Sequence, residues 1–108
     1  MTDEQILEEI QRLIRENKVA LFMKGTPEMP RCGFSAGVVE VLQRHNVSFQ
    51  AMDVLPDPRI RQVLSSHSNW PTVPQLFVNG QLVGGCDIVR EMDAKGELKS
   101  LLDRALKG

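Results

Sequence analysis

The order of apolar periodicities along this sequence predicts an α/β fold, a four-stranded mixed sheet flanked by helices. Three observations carry that expectation. A short apolar run, an amphipathic stretch and a second strand-like run follow one another between residues 19 and 54. Asn79-Gly80 separates two further short runs and is the signature of a two-residue hairpin. Helix-period apolar stripes stand at both ends of the chain.

Thr2 is followed three residues later by Gln5, a capping box. Ile6, Leu7, Ile10, Leu13 and Ile14 recur on one face of the helix it opens, which ends at Asn17. Val19–Met23 is continuously apolar and short enough for a buried strand. Gly25, Pro27 and Pro30 make residues 24–31 a loop. The second helix carries Phe34, Val38, Val41 and Leu42 on one face and stops near Asn46, and residues 48–54 read as the second strand. Asp57-Pro58 supplies an N-cap and a first-turn proline to a third helix with Ile60, Val63 and Leu64. Gln75–Val78 and Gln81–Gly84 form the hairpin through a type I′ turn. Asp87 can cap a short helix through Met92, and Gly96 breaks it. Leu98, Leu101, Leu102, Ala105 and Leu106 line a last helix. The first strand–helix–strand should be a right-handed parallel crossover, and the hairpin then adds antiparallel strands to the same sheet. That is the thioredoxin-like architecture. No repeat, low-complexity tract or linker interrupts it, so residues 1–108 read as one domain.

Composition agrees with one soluble domain. Apolar residues make up 42% and charged residues 25%, enough for a core without disulfide staples. The formal charge of −1 gives no bulk attraction to nucleic acid or to an anionic membrane. No apolar run is long enough to span a bilayer. The N-terminus is acidic and then amphipathic, unlike a secretion signal, so the chain is expected to be complete and cytoplasmic. Cys32 and Cys86 alone make no secreted disulfide framework.

Cys32 is the first candidate for chemistry. It opens the second helix, where free backbone N–H groups and the macrodipole favour an anion. A thiolate there has a lowered pKa and is the reactive, metal-ligating form. Lys24 and Arg31 add positive charge nearby in sequence. Three places on stands Ser35, so Cys32-Gly33-Phe34-Ser35 cannot close its own disulfide and needs an external thiol, or offers one thiolate to a metal. Ser35 itself reads as a helper of the helix cap.

Pro74 sits at a strand entry, where proline is permitted. A cis Val73-Pro74 bond would turn the Val73 backbone toward a ligand, whereas an ordinary trans turn is the commoner arrangement for an isolated proline. Gly84-Gly85-Cys86-Asp87 joins the last strand to a helix. Its glycines would let a ligand approach the backbone, or simply make a bend. Cys86 reads as a semi-buried small residue before a second redox thiol, and Asp87 is placed to receive a charged terminus. Arg61 on the third helix is either a solvated charge or a carboxylate clamp. His45 and His67 have no second ligand at metal spacing and read as surface residues, and Trp70 reads as packing.

Together these motifs resemble the monothiol glutaredoxins of the C-G-F-S type. The matching residues are Met23-Lys24-Gly25 with Pro27, Cys32-Gly33-Phe34-Ser35, Asn69-Trp70-Pro71-Thr72-Val73-Pro74-Gln75 and Gly84-Gly85-Cys86-Asp87. They cover nearly the whole chain in the single-domain form. The resemblance implies a thioredoxin-like fold with a cis proline at Pro74 and glutathione in the groove beside it. It implies that Lys24 and Arg61 hold the glycine carboxylate of glutathione. The Val73 backbone would pair with its cysteinyl unit, and Cys86 and Asp87 would hold its γ-glutamyl end. It further implies a [2Fe–2S] cluster with Cys32 as the chain's ligand, bridging a homodimer. Apo iron–sulfur proteins and BolA-type proteins would be partners. The competing expectation is a glutathione-dependent thiol–disulfide oxidoreductase in which Cys32 attacks glutathionylated proteins.

Overall fold

The computed structural model describes residues 1–107. Its elements are α1 (Asp3–Glu16), β1 (Val19–Met23), α2 (Gly33–Arg44), β2 (Gln50–Asp53), α3 (Pro58–Ser68), β3 (Gln75–Val78), β4 (Gln81–Gly84), α4 (Cys86–Ala94) and α5 (Glu97–Lys107). One sheet has the order β2-β1-β3-β4. The β1–β2 pair is parallel, and β1–β3 and β3–β4 are antiparallel, which is the expected mixed thioredoxin-like sheet. None of these helices is long and apolar enough to cross a membrane.

Local chemistry explains where the elements begin and end. Thr2 Oγ1 accepts from the Gln5 N–H at 3.1 Å while Gln5 Oε1 accepts from the Thr2 N–H at 2.8 Å, closing the capping box. Asp57 caps α3 through the Arg59 N–H at 3.0 Å, with Pro58 in the first turn. Asn79 and Gly80 both have positive φ, 53° and 84°, as the type I′ turn requires.

Side chains alternate along the strands and so divide the core into two layers. Val19, Leu21 and Met23 meet Val38, Leu42, Val89, Leu98 and Leu102, from α2, α4 and α5. Ala20 and Phe22 face the other way, toward Ile6, Ile10 and Leu64 from α1 and α3. Phe22 and Phe77 meet edge to face with centroids 5.6 Å apart.

Several boundaries or placements differ from the sequence reading, among them Phe34, expected with Val38, Val41 and Leu42 on one apolar face but exposed. β2 is shorter than residues 48–54 because only Gln50–Asp53 lies opposite β1. α4 begins two residues earlier than expected: Gly85 is its N-cap, Cys86 its first residue, and Asp87 stands inside the first turn rather than capping it. α4 also continues past Met92 to Ala94 before the positive-φ Gly96. His45 is not a plain surface residue. Its Nε2–H donates to Asp93 Oδ1 at 2.7 Å, and Arg44 Nη2 donates to Asp93 Oδ2 at 2.8 Å, joining the C-terminal ends of α2 and α4.

The bonds from His45 and Arg44 hold the Asp93 carboxyl below its usual range. Its contribution to stability is therefore complete above the unfolded carboxyl pKa and is lost as pH falls through the lowered folded value. Asp93→Asn should flatten that part of the acid limb, below about pH 4. Urea denaturation at a series of acidic pH values checks this. Parallel pH profiles for parent and variant would show that the pair contributes nothing there.

Candidate functional site

The site forms where the C-terminal ends of β1 and β2 meet the N-termini of α2 and α4. The loop between β1 and α2 is tied at several points. Arg31 N–H donates to Lys24 O at 2.9 Å, and Thr26 and Met29 exchange backbone bonds of 3.2 and 3.0 Å. Gly25 N–H donates to Asp53 Oδ1 at 2.9 Å. Gly25 has φ +89°, and a Cβ there would stand 2.5 Å from Met29 O and 2.8 Å from Arg31 N, so only glycine fits this turn.

That loop delivers Cys32 as the N-cap of α2, half-exposed at the rim. Its thiol is held below its usual pKa first by the Ser35 backbone N–H. Burial opposes the shift, and the Phe34 N–H, the Ser35 hydroxyl and the Lys24 ammonium add to it in that order. The expected electrostatic help from Lys24 is thus present but is the smallest contribution. Ser35 does not cap α2 through its side chain. It is fully buried, and its Oγ accepts from the Lys24 backbone N–H at 3.1 Å. The hydroxyl also contributes to lowering the Cys32 pKa, so one side chain serves both the end of β1 and the thiol.

Opposite Cys32 lies the loop from Trp70 to Pro74, with a cis Val73–Pro74 bond. Arg61 on α3 donates to Pro71 O at 3.5 Å. The third wall is the β4–α4 junction. Gly84 has φ +143°, and a Cβ there would press on Ile88 at 2.8 Å. A Cβ at Gly85 would approach Pro74 O at 3.3 Å. The two glycines therefore serve the close meeting of this junction with α4 and with the proline loop. Cys86 is only 5% exposed, and burial pushes its thiol pKa up.

All six residues singled out from the sequence, Lys24, Cys32, Arg61, Val73, Cys86 and Asp87, line one cavity of about 580 Å³. Phe34 and Trp70 line it too, so Trp70 has a face on the cavity as well as a packing role. Among the described residues no cluster of three or more His, Cys, Asp or Glu side chains is gathered as for a metal ion. Three supporting residues escaped the sequence reading: Ser35 in its actual role, Asp53, which also accepts from the Leu55 N–H at 2.9 Å, and Gln75. Only Gln75 left a trace in the sequence, as an amide entering an otherwise apolar strand.

A low-pKa thiolate on a helix N-terminus, facing a proline-bearing loop across a cleft, defines a thiol-dependent protein of the thioredoxin-like class. The glutaredoxin family model matches residues 19–83. The chain is 52% identical over 102 residues to the probable monothiol glutaredoxin 2 of Rickettsia typhi, covering 94% of this chain and 92% of that one. It belongs to the glutaredoxin family, among the monothiol members. Its backbone is similar to reduced poplar apo GrxS14, with a TM-score of 0.83 and 40% identity over 94% of this chain and 93% of that one. It is also similar to the holo form of glutaredoxin C1 from Populus tremula x tremuloides, with a TM-score of 0.85 and 25% identity over 98% and 94% of the two chains.

Ser35→Ala should raise the Cys32 pKa by more than Lys24→Ala does, because the hydroxyl lowers it more than the lysine charge does. The loss of its buried bond should also cost about 1 kcal/mol of stability. Thiolate absorbance titrations on a Cys86→Ser background check the order of the two effects. A larger rise in Lys24→Ala would reverse it.

Proposed function

We propose that this chain binds glutathione and a [2Fe–2S] cluster shared between two copies of itself, and that it hands the cluster to apo iron–sulfur proteins. One observation carries the reading. Cys32 is the only thiol that is both accessible and acidified, and the position three residues on is filled by a serine buried under the loop. A cluster of this kind usually takes four thiolates. One chain supplies one, so the remaining ligands must come from a second chain and from two glutathione sulfurs. Ligands that exchange with free glutathione suit a cluster that is cargo. The apo and holo forms of the solved relatives support a bound group in this fold.

The residues lining the cavity include groups of the kinds glutathione needs. On this reading Lys24 and Arg61 would hold its glycine carboxylate and the Val73 backbone would pair with its cysteinyl unit. Cys86 and Asp87, at the N-terminus of α4, serve the γ-glutamyl end through the first-turn N–H groups and the Asp87 carboxylate. The reading includes BolA-type partners and a cytoplasmic location, with neither nucleic acid nor membrane as a partner, and a single domain over residues 1–108.

The acidified thiolate also favours a second reading, a glutathione-dependent thiol–disulfide oxidoreductase. There Cys32 would attack the sulfur of a glutathionylated protein, release the protein thiolate and be regenerated by free glutathione. Exchange needs alignment along the disulfide axis as well as a thiolate. The pinned loop of residues 25–30 restricts that alignment, which favours the carrier.

Anaerobic reconstitution with iron, sulfide and glutathione should give a visible cluster spectrum. Native mass should show two chains, two iron ions, two sulfides and two glutathiones. Cys32→Ser should abolish the cluster and Cys86→Ser should largely keep it. A cluster that survives complete removal of glutathione would refute the ligand set. In a glutathione-coupled disulfide reduction assay turnover should be weak, and shortening the loop of residues 25–30 should raise turnover while loosening the cluster. Rapid turnover by the parent protein without cluster transfer to an apo-ferredoxin would establish the oxidoreductase instead.

A further inference from the structure

Gln75 is a fully buried carboxamide at the head of β3, directly after Pro74 and before Leu76, Phe77 and Val78. Burying an amide in such a place is unfavourable unless its hydrogen-bonding groups find partners. Its Nε2 donates to Trp70 O at 3.0 Å and to Thr72 O at 3.1 Å. Its Oε1 has no partner. The opposite amide orientation would set an oxygen against two carbonyls, so the bonds themselves fix which end is NH₂. The side chain is therefore there for its donors.

The two carbonyls bracket Pro71, whose own carbonyl accepts from Arg61 at 3.5 Å. Among the described residues no backbone–backbone hydrogen bond outside helices and strands involves residues 70–73. The segment that forms one wall of the cavity thus hangs on α3 at one end, on β3 at the other, and on the Gln75 amide between them. We propose that Gln75 is a positioning residue for the glutathione site. Without touching the ligand, its NH₂ group sets where the Val73 backbone and Arg61 stand. This inference rests on the glutathione reading above.

The test uses a variant whose donor can be switched. Gln75→Glu keeps the shape. Protonated, it offers one O–H donor to the loop; ionised, it sets a carboxylate against two carbonyls. Burial raises its pKa above the usual carboxyl value, so the switch falls between about pH 5 and pH 8. The probe is S-methylglutathione, which cannot exchange disulfides. Trp70, the only tryptophan, reports on the loop by its emission in the ligand-free protein.

The parent should bind S-methylglutathione with little pH dependence across that range. Gln75→Glu should weaken by about tenfold as pH rises, and its Trp70 emission should shift with the same midpoint. Gln75→Met, which has no donor, should bind about tenfold more weakly at every pH. Its Cys32 pKa should be unchanged. Affinity profiles of Gln75→Glu and parent that run parallel overturn the proposal, whether or not the emission moves. So does a Gln75→Met protein that binds like the parent. If the parent fails to bind S-methylglutathione, the glutathione reading falls and this proposal with it. The emission of Gln75→Glu then still tells whether the loop follows the amide.

Discussion

Every part of the site is referred back to β1, which is paired along both edges and covered on both faces. All five of its residues are within 1% of complete burial. A strand so placed has no polar group left for water, and its side chains must serve two different layers at once. Its position is fixed by the helices above and below it together. The chain leaving its C-terminal end inherits that fixity: Lys24 N–H is bonded to Ser35, Gly25 N–H to Asp53, and Met23 O to the Val54 N–H at 2.9 Å. The sulfur of Cys32 stands where it does because the end of the central strand cannot move.

The Cys32 pKa is lowered chiefly by backbone N–H groups at the start of its own helix, with the lysine charge as a minor partner. Interactions between exposed charges weaken over a screening length of about 8 Å at physiological salt. Local backbone N–H groups such as those of Ser35 and Phe34 are screened less than exposed charges. The acidity of Cys32 is thus a property of backbone geometry. It leaves Lys24 and Arg61 available for a ligand. Cys86, by contrast, carries a raised pKa in the wall of the same cavity, so the two thiols are chemically distinct.

What could be read from the sequence was whatever is signalled within a few residues. The Thr2–Gln5 box, the Asp57-Pro58 start and the Asn79-Gly80 turn are each complete in a short window, and the structure keeps all three. The six candidate site residues were found through short motifs, and folding gathers them around one cavity. What stayed hidden depends on partners brought from afar. Ser35 meets Lys24 across 11 residues, Asp53 meets Gly25 across 28, and His45 meets Asp93 across 48. No periodicity or capping rule reports such a pairing. The start of α4 misled for a related reason. Asp87 has the right side chain for a cap, but Gly85 already occupies that position in the backbone, pressed between the proline loop and the helix.

The ion-paired end of α2 and α4 also has a mechanical meaning. Both helices present their N-termini to the cavity, and both are fastened at the far end through Asp93. They form a pair of tongs with the rivet at the handle. The 12 residues of α2 make an arm about 18 Å long, so a tilt of about 3° at the rivet moves the jaw carrying Cys32 by about 1 Å. A change in the Asp93 link at one pole would therefore be magnified at the other, where the two helix starts line the cavity.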